Sequence, residues 1–419
     1  MIKRLLFVFA TLISITSFAS TDTTRVLFIG NSFTYMNDVP GLTKGLADAA
    51  GFPFAFQMWA PGGISVGDVA QGTSAHMNNP VVFDMIRGTH WDYVSLQDNQ
   101  GRFIYGGGRF PDTAVSKVIA GHKKIRDSVR FYSSCAQMLW FAGWGPQSGY
   151  PPYASTGFGL IDNIYQNYLY LQDSLGHTIV PIGKAWVRGT DSLPSSDLWG
   201  PDSVHESLGG AYLTAATIFC SIYRIDPTNI NFTGGLDSSV ARMYRKIAFK
   251  TVSDSFLSDA PIVNTPTITF TAGTLTTTIS SAYTFYRWYR NGVLFDSGTS
   301  NIEHVTIVDG CYQVEVTTTR GCTYRSIETC ASIPNSIEQV NNSTITLQPI
   351  PAHDQLMINL GTLNEATLSI TDLSGRELIR KNLTGQSNNI DVSQMPGGIY
   401  LAKFIVNNGE FTRKIVIEK

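Results

Sequence analysis

The chain has 419 residues, of which 43% are hydrophobic and 15% charged, a composition too apolar for a disordered protein and long enough for more than one hydrophobic core. Its formal net charge of -2 offers no basic excess to neutralise phosphates, so nucleic acid is not an expected partner. Cys135, Cys220, Cys311, Cys322 and Cys330 are too few for a disulfide scaffold and lack metal-ligand spacing, and their odd number leaves at least one unpaired in a monomer.

In chain order, Lys3-Arg4, the apolar run over 5–15 and Ser17-Phe18-Ala19 read as a secretory signal occupying residues 1–19. Its removal takes two of the 30 basic residues and none of the 32 acidic ones, which leaves the exported chain mildly acidic. Residues 22–260 then alternate strand-like and helix-like segments. Arg25-Val26-Leu27-Phe28-Ile29 is a continuous apolar run, the pattern of a strand buried on both faces of a parallel sheet, and it stops at Gly30-Asn31-Ser32. A helix follows over 39–50, with Asp38 as cap, Pro40 in its first turn and Gly51 as stop. Further strands are expected at 54–58, 93–97, 131–134 and 178–182, and a buried helix at 211–223. Alternation of this kind defines an α/β layered sheet. Between them, residues 140–153 are rich in aromatics and glycine and read as a long loop that either walls a substrate cleft or folds its rings into the core; Trp199 has the same two roles open to it.

Beyond the linker Ser258-Asp259-Ala260-Pro261 the texture changes to Thr-rich alternation, the mark of antiparallel modules. Residues 262–333 resemble an immunoglobulin-like domain through Trp288, the turn Asn291-Gly292 and Tyr312 after Asp309-Gly310, with Val314 where a second cysteine would stand. A hairpin about Arg320 would bring Cys311 beside Cys330. Residues 341–419 form a third unit whose landmarks are Pro349-Ile350-Pro351-Ala352, Asp372-Leu373-Ser374-Gly375-Arg376, Met395-Pro396-Gly397-Gly398-Ile399-Tyr400 and Lys414-Ile415-Val416-Ile417, with a further turn at Asn408-Gly409. This unit resembles the C-terminal sorting domain of type IX secretion. The resemblance implies that secretion machinery as a partner, export through the periplasm of a Gram-negative bacterium, and a secreted or surface-attached product.

Three separated pieces of the first domain make chemical sense together. Ser32 sits at a strand exit, where its hydroxyl and its own N–H face a cleft; a helix cap or turn residue is the plain alternative. Asp202-Ser203-Val204-His205 precedes the buried helix, and the spacing lets the carboxylate hold the imidazole so that the other ring nitrogen faces a serine; a solvated surface loop is the alternative. Pro61-Gly62-Gly63 and Gln97-Asp98-Asn99-Gln100 follow strands and supply N–H donors for an oxyanion, or simply a tight turn and an Asx-turn. A rival nucleophile is Ser65 in Gly63-Ile64-Ser65-Val66-Gly67, which fits G-x-S-x-G but follows a chain break rather than a strand. His76, His90, His122, His177, His304 and His353 show no metal spacing and read as ordinary surface or core residues, and no nucleotide motif is present, so neither metal nor cofactor is expected.

Ser block, Gly block, Asn block and a closing Asp-x-x-His, in that order over about residues 24–226, resemble the SGNH or GDSL hydrolase family. The resemblance implies a three-layer flavodoxin-like parallel sheet, here followed by two antiparallel β-sandwich modules. It makes Ser32 the nucleophile, His205 the base and Asp202 its orienting group, with the Ser32 N–H, Gly62 or Gly63, and Asn99 forming the oxyanion hole. Two departures stand out. Asn31 replaces the Asp of the family name, and the third block leaves Gln97, Asn99 and Gln100 all open as donors. The implied function is a secreted serine esterase acting on an acylated small molecule or glycan, with deacetylation of carbohydrate the first substrate class to test. The alternative is a surface adhesin or glycan-binding protein built on an inactive hydrolase-like domain. Nothing in the sequence sets an oligomeric state.

Overall fold

The computed structural model describes residues 23–67, 75–104, 112–149, 154–176, 178–192, 198–258, 266–271, 274–277, 280–304, 309–331, 345–361, 363–406 and 409–419. The secretory signal, the aromatic stretch Tyr150 to Tyr153, linker residues Asp259 to Pro261 and Asn408 lie outside the described residues. Two compact units divide the chain, Met1–Ala331 and Ser332–Lys419.

The first unit opens with β1 (Thr24–Ile29), the short α1 (Ser32–Tyr35), α2 (Val39–Ala49), β2 (Phe54–Trp59), α3 (Pro80–Gly88) and β3 (Tyr93–Leu96). It continues with α4 (Asp112–Tyr132), β4 (Gln137–Phe141), α5 (Gly157–Leu175), β5 (Thr178–Val180), α6 (Ile182–Ser192), α7 (Leu208–Tyr223) and α8 (Ser238–Ser258). All five strands are parallel, in the order β2-β1-β3-β4-β5. This is the flavodoxin-like order, whose chain reversal beside β1 opens a crevice at the carboxyl ends of β1 and β3.

Strand periodicity explains the layering. Along β1, Val26 and Phe28 enter one core with Leu139 and Phe141 of β4, while Leu27 and Ile29 enter another with Met138 and Trp140. Alternate side chains of a strand point to opposite faces, so a run apolar at every position must be covered on both sides. The first face is covered by α2, α6, α7 and α8, through residues such as Leu46, Trp186, Phe219 and Tyr244; the second by α3, α4 and α5, through Ile86, Ile125 and Ile164. Asp38 caps α2 by accepting from the Gly41 N–H at 3.1 Å, as its position in the sequence predicts.

One expected strand is wrong. Phe131 belongs to the last turn of α4 and is 80% exposed, and the strand lies downstream at Gln137–Phe141. The aromatic segment therefore begins inside the sheet, and its described rings fold inward. Trp140, Phe141 and Trp144 are all buried, Trp144 stacks on Trp186 at 4.0 Å, and Trp199 packs edge-on against Trp186 at 5.0 Å.

In the remainder of the first unit, Ile268–Thr271, Thr274–Thr277 and Ile302–His304 form one antiparallel sheet. In a second, Tyr283–Arg290 lies between Val293–Gly298 and Gly310–Thr318, and Thr323–Arg325 and Thr329–Ala331 also pair with Gly310–Thr318. Trp288 and Tyr312 sit in the shared core. Cys311 lies opposite Cys330 and is bonded to it, as the hairpin register predicts. A second disulfide, Cys135–Cys322, ties the α4–β4 turn to this module. The end of α7 is tied to it as well: the buried Gln313 amide donates to the Tyr223 and Arg224 carbonyls, and Glu328 accepts from the Asp226 N–H at 2.9 Å. Cys220 is the free cysteine, buried in α7. The second unit is two antiparallel sheets around Leu356, Leu368, Ile370, Phe404 and Ile415. Among the described residues no helix is long and apolar enough to cross a membrane.

Candidate active site

Parallel strands place the loops that follow them along one edge. Ile29 pairs with Trp59 on one side and Leu96 on the other, so the chain leaves β1, β2 and β3 at the same height. Gly30-Asn31-Ser32, Pro61-Gly62-Gly63 and Gln97 to Gln100 are thereby adjacent.

Ser32 opens α1, where a backbone N–H has no intrahelical acceptor. The turn is held by side chains. Asn31 caps it by accepting from the Phe33 N–H at 3.2 Å, and its amide also donates to the Ile64 carbonyl at 3.0 Å. An aspartate could make the first bond but not the second, which gives a physical reason for asparagine at 31. The side-chain oxygen of Gln97 accepts from the Asn31 N–H at 2.7 Å and from the Thr34 hydroxyl at 3.1 Å, and its amide donates to the Asp98 carbonyl. Behind the strand exit, His76 Nε2 lies 2.8 Å from the Gly30 carbonyl, and burial pushes this imidazole down to about 4.

The Asp202 to His205 loop enters α7, whose Ser207 cap accepts from the Gly210 N–H. His205 Nδ1 is 2.6 Å from Asp202 Oδ2, while Asp202 Oδ1 accepts from the Val204 and His205 N–H groups at 3.0 and 2.9 Å. The His205 ring bond, with those two backbone bonds, holds the Asp202 carboxyl down at about 2. A carboxylate at Nδ1 selects the tautomer whose Nε2 lone pair is free to take a proton.

Three contacts bring this loop beside the serine turn. The Phe33 ring meets the His205 ring with centroids 5.4 Å apart, the Asn37 amide donates to the Glu206 carbonyl at 2.7 Å, and the Trp144 indole donates to the Val204 carbonyl at 3.0 Å. Phe33 also packs on Trp144 at 4.9 Å. The aromatic segment thus supports the histidine loop from within the core. Neither Asn37 nor Trp144 carried a sequence signal for this role. Glu206, next to His205, is 2% exposed and no other residue bonds its carboxyl; burial pushes that carboxyl up to about 8, against the opposing pull of its own backbone N–H.

Gly62 and Gly63 are exposed, and Gly63 has φ +72°, a conformation that favours glycine. Of the three candidate amides, Gln97 is engaged by the serine turn, and Gln100 is buried and donates to the Asp98 and Phe141 carbonyls. Asn99 is partly exposed, with its amide 3.3 Å from the Gly63 carbonyl and its oxygen accepting from the Gly101 N–H. Ser65 is 1% exposed, with its carbonyl bound by the His76 N–H, so the rival hydroxyl is buried. The only cluster among the described residues with metal-type ligands, Cys311, Glu328 and Cys330, contains the two disulfide-bonded cysteines and lies in the antiparallel module.

Fold and site define an α/β protein of flavodoxin-like order with a serine turn and an Asp-His loop at the carboxyl edge of its sheet. Residues 346–418 match the family model of the secretion system C-terminal sorting domain. No curated protein matches the chain. Similar solved structures include a DUF4886 family protein from Bacteroides uniformis, 18% identical, covering 58% of this chain and 98% of that one with a TM-score of 0.45. They also include a catalytic mutant of an acetylxylan esterase from Geobacillus stearothermophilus (14% identical, 48% and 94% covered, TM-score 0.36). A third is a carbohydrate acetylesterase from Sinorhizobium meliloti (15% identical, 48% and 98% covered, TM-score 0.33).

Proposed function

We propose that this chain is an exported serine esterase with Ser32 as nucleophile, His205 as base and Asp202 as the orienting carboxylate. The observation that carries the reading is the 2.6 Å His205–Asp202 pair lying against Phe33, the residue that follows Ser32. His205 Nε2 takes the Ser32 proton as the hydroxyl oxygen attacks the ester carbonyl. The N–H groups of Ser32 and Gly62 or Gly63, with the Asn99 amide, receive the oxyanion. Collapse expels the alcohol, which leaves with the proton from His205. Water then attacks the acyl-enzyme, giving its proton to His205, and the acid is released as Ser32 recovers its hydrogen.

An O-acetylated carbohydrate is the substrate class to test first. In support, Tyr35 is 40% exposed and its hydroxyl lies 3.4 Å from where a Gly62 Cβ would stand, an aromatic surface at the lip of the site suited to the apolar face of a sugar. The match of residues 346–418 to the sorting domain supports export by type IX machinery, after loss of the signal at residues 1–19, to the medium or the cell surface.

Hydrolysis of p-nitrophenyl acetate by wild type and Ser32→Ala tests the reading. Loss of about 10⁴-fold or more in kcat/KM is expected, since removing the nucleophile of such a triad leaves only binding and the oxyanion hole. A wild type with no serine-dependent rate would favour a glycan-binding protein instead.

A further inference from the structure

Asp98 has no place in the mechanism above, yet it is buried between two loops that the mechanism needs. Its Oδ1 accepts from the Val66 N–H at 2.8 Å and from the Asn99 N–H at 2.7 Å. Val66 follows the Gly62-Gly63 turn after β2, and Asn99 follows β3. A single oxygen therefore pins the glycine loop to the asparagine loop. The Asp98 carbonyl is held as well, by the amides of Gln97 and Gln100.

The support behind Asp98 comes from α4 and α5. His122 Nδ1 stands 3.8 Å from Asp98 Oδ2 and 2.9 Å from the Val118 carbonyl, and its ring packs edge-on against Phe103 and Trp140. Tyr168 of α5 stacks on Phe103 at 4.1 Å. One residue before His122, Gly121 seats the glycine loop. A Cβ on Gly121 would come within 2.4 Å of the Gly67 Cα, and one on Gly67 within 2.0 Å of the Lys117 carbonyl oxygen. No side chain fits either way. The α4 segment from Lys117 to His122 is a platform, and Asp98 is the clamp set on it.

We propose that Asp98 is a positioning residue for ester hydrolysis, whose carboxylate oxygen sets the spacing between the Gly62-Gly63 N–H groups and the Asn99 amide and so fixes the oxyanion hole. This inference rests on the esterase reading and adds to it a residue that touches no substrate. Its effect falls on the charge developed in the transition state, so turnover suffers while ground-state binding does not. What Asp98 provides is a doubly accepting oxygen. Asparagine retains that oxygen; alanine removes it; serine, one bond shorter, cannot reach both N–H groups.

The test measures kcat and KM for p-nitrophenyl acetate with wild type, Asp98→Asn, Asp98→Ala and Asp98→Ser, and compares folding by circular dichroism. Asp98→Ala should lose about 10²-fold in kcat, the size of one lost oxyanion donor, with KM within about 3-fold of wild type and most turnover restored in Asp98→Asn. If Asp98→Ala does not fold, Asp98→Ser takes its place with the same expectation. Wild-type kcat in either truncation would overturn the proposal, and so would a folded Asp98→Asn as slow as the truncations. Ser32→Ala in the same assay separates the two ideas. A rate unaffected by Ser32→Ala counts against the esterase reading itself, whereas a serine-dependent rate indifferent to Asp98 counts against the clamp alone.

Discussion

Replacing Glu206 by Gln should remove a loss of stability that sets in between about pH 4.5 and 8. Glu206 follows His205 directly, is 2% exposed, and its carboxyl is bonded by no other residue. Burial raises its carboxyl from an ordinary 4.5 to about 8, with the negative charge of Asp202 acting in the same direction. Between those values the folded chain keeps the proton and the unfolded chain releases it. Stability from this group is therefore complete below about pH 4.5 and is lost as pH rises towards about 8. At ~1.4 kcal/mol per tenfold change in proton activity, the full span is worth on the order of 5 kcal/mol. Glutamine keeps the shape and has no proton to lose. Urea unfolding of wild type and Glu206→Gln at about pH 5, 7 and 9 should show a difference growing with pH in favour of the variant, and the subtraction removes all other titrating groups. A difference that stays flat across the series would refute the claim that this carboxyl is buried as the neutral acid.

Other outcomes follow from the same geometry. Asp202→Asn should fold normally, since its oxygen still accepts the two loop N–H groups, but it places a donor against His205 Nδ1; kcat should fall about 10⁴-fold through the wrong imidazole tautomer. At the acidic end, His76 is held near 4 against an ordinary 6.5, so the unfolded chain takes up the proton first; stability is lost as pH falls from about 6.5 to 4, by about 3 kcal/mol, and this loss should be absent from the denaturation profile of His76→Gln. Cys135→Ser should lower stability by about 2–4 kcal/mol in denaturant titration, because Cys135–Cys322 closes a loop of 187 residues between the sheet domain and the antiparallel module. The same variant should not alter KM, since neither cysteine is among the site residues.

What the sequence revealed depended on the range of the signal. The run Arg25 to Ile29 and the helix after Asp38 were legible because burial on two faces and capping are local patterns. Asp202 and His205 were legible as a pair for the same reason, and so was Cys311–Cys330, whose partners share one hairpin. The misplaced strand shows the limit. Phe131 is apolar yet lies on the helix surface, while Trp140 and Phe141, whose composition reads as loop, belong to an inner strand; a short apolar run does not say which kind of element it belongs to. Long-range partners left no trace. Trp144 reaching Val204, Asn37 reaching Glu206, Cys135 reaching Cys322 and Asp98 bridging two loops all depend on how distant segments stack, and no periodicity encodes that. Asn31 looked like a departure in the sequence, and only its bond to Ile64 explains it.

The central claim is that Ser32 carries the reactive hydroxyl. Labelling the intact protein with a fluorophosphonate and mapping the adduct by peptide mass spectrometry reads that directly. The adduct should fall on the peptide containing Ser32, and labelling should be abolished in both Ser32→Ala and His205→Ala. An adduct on Ser65, or no serine adduct on correctly folded protein, would contradict the account.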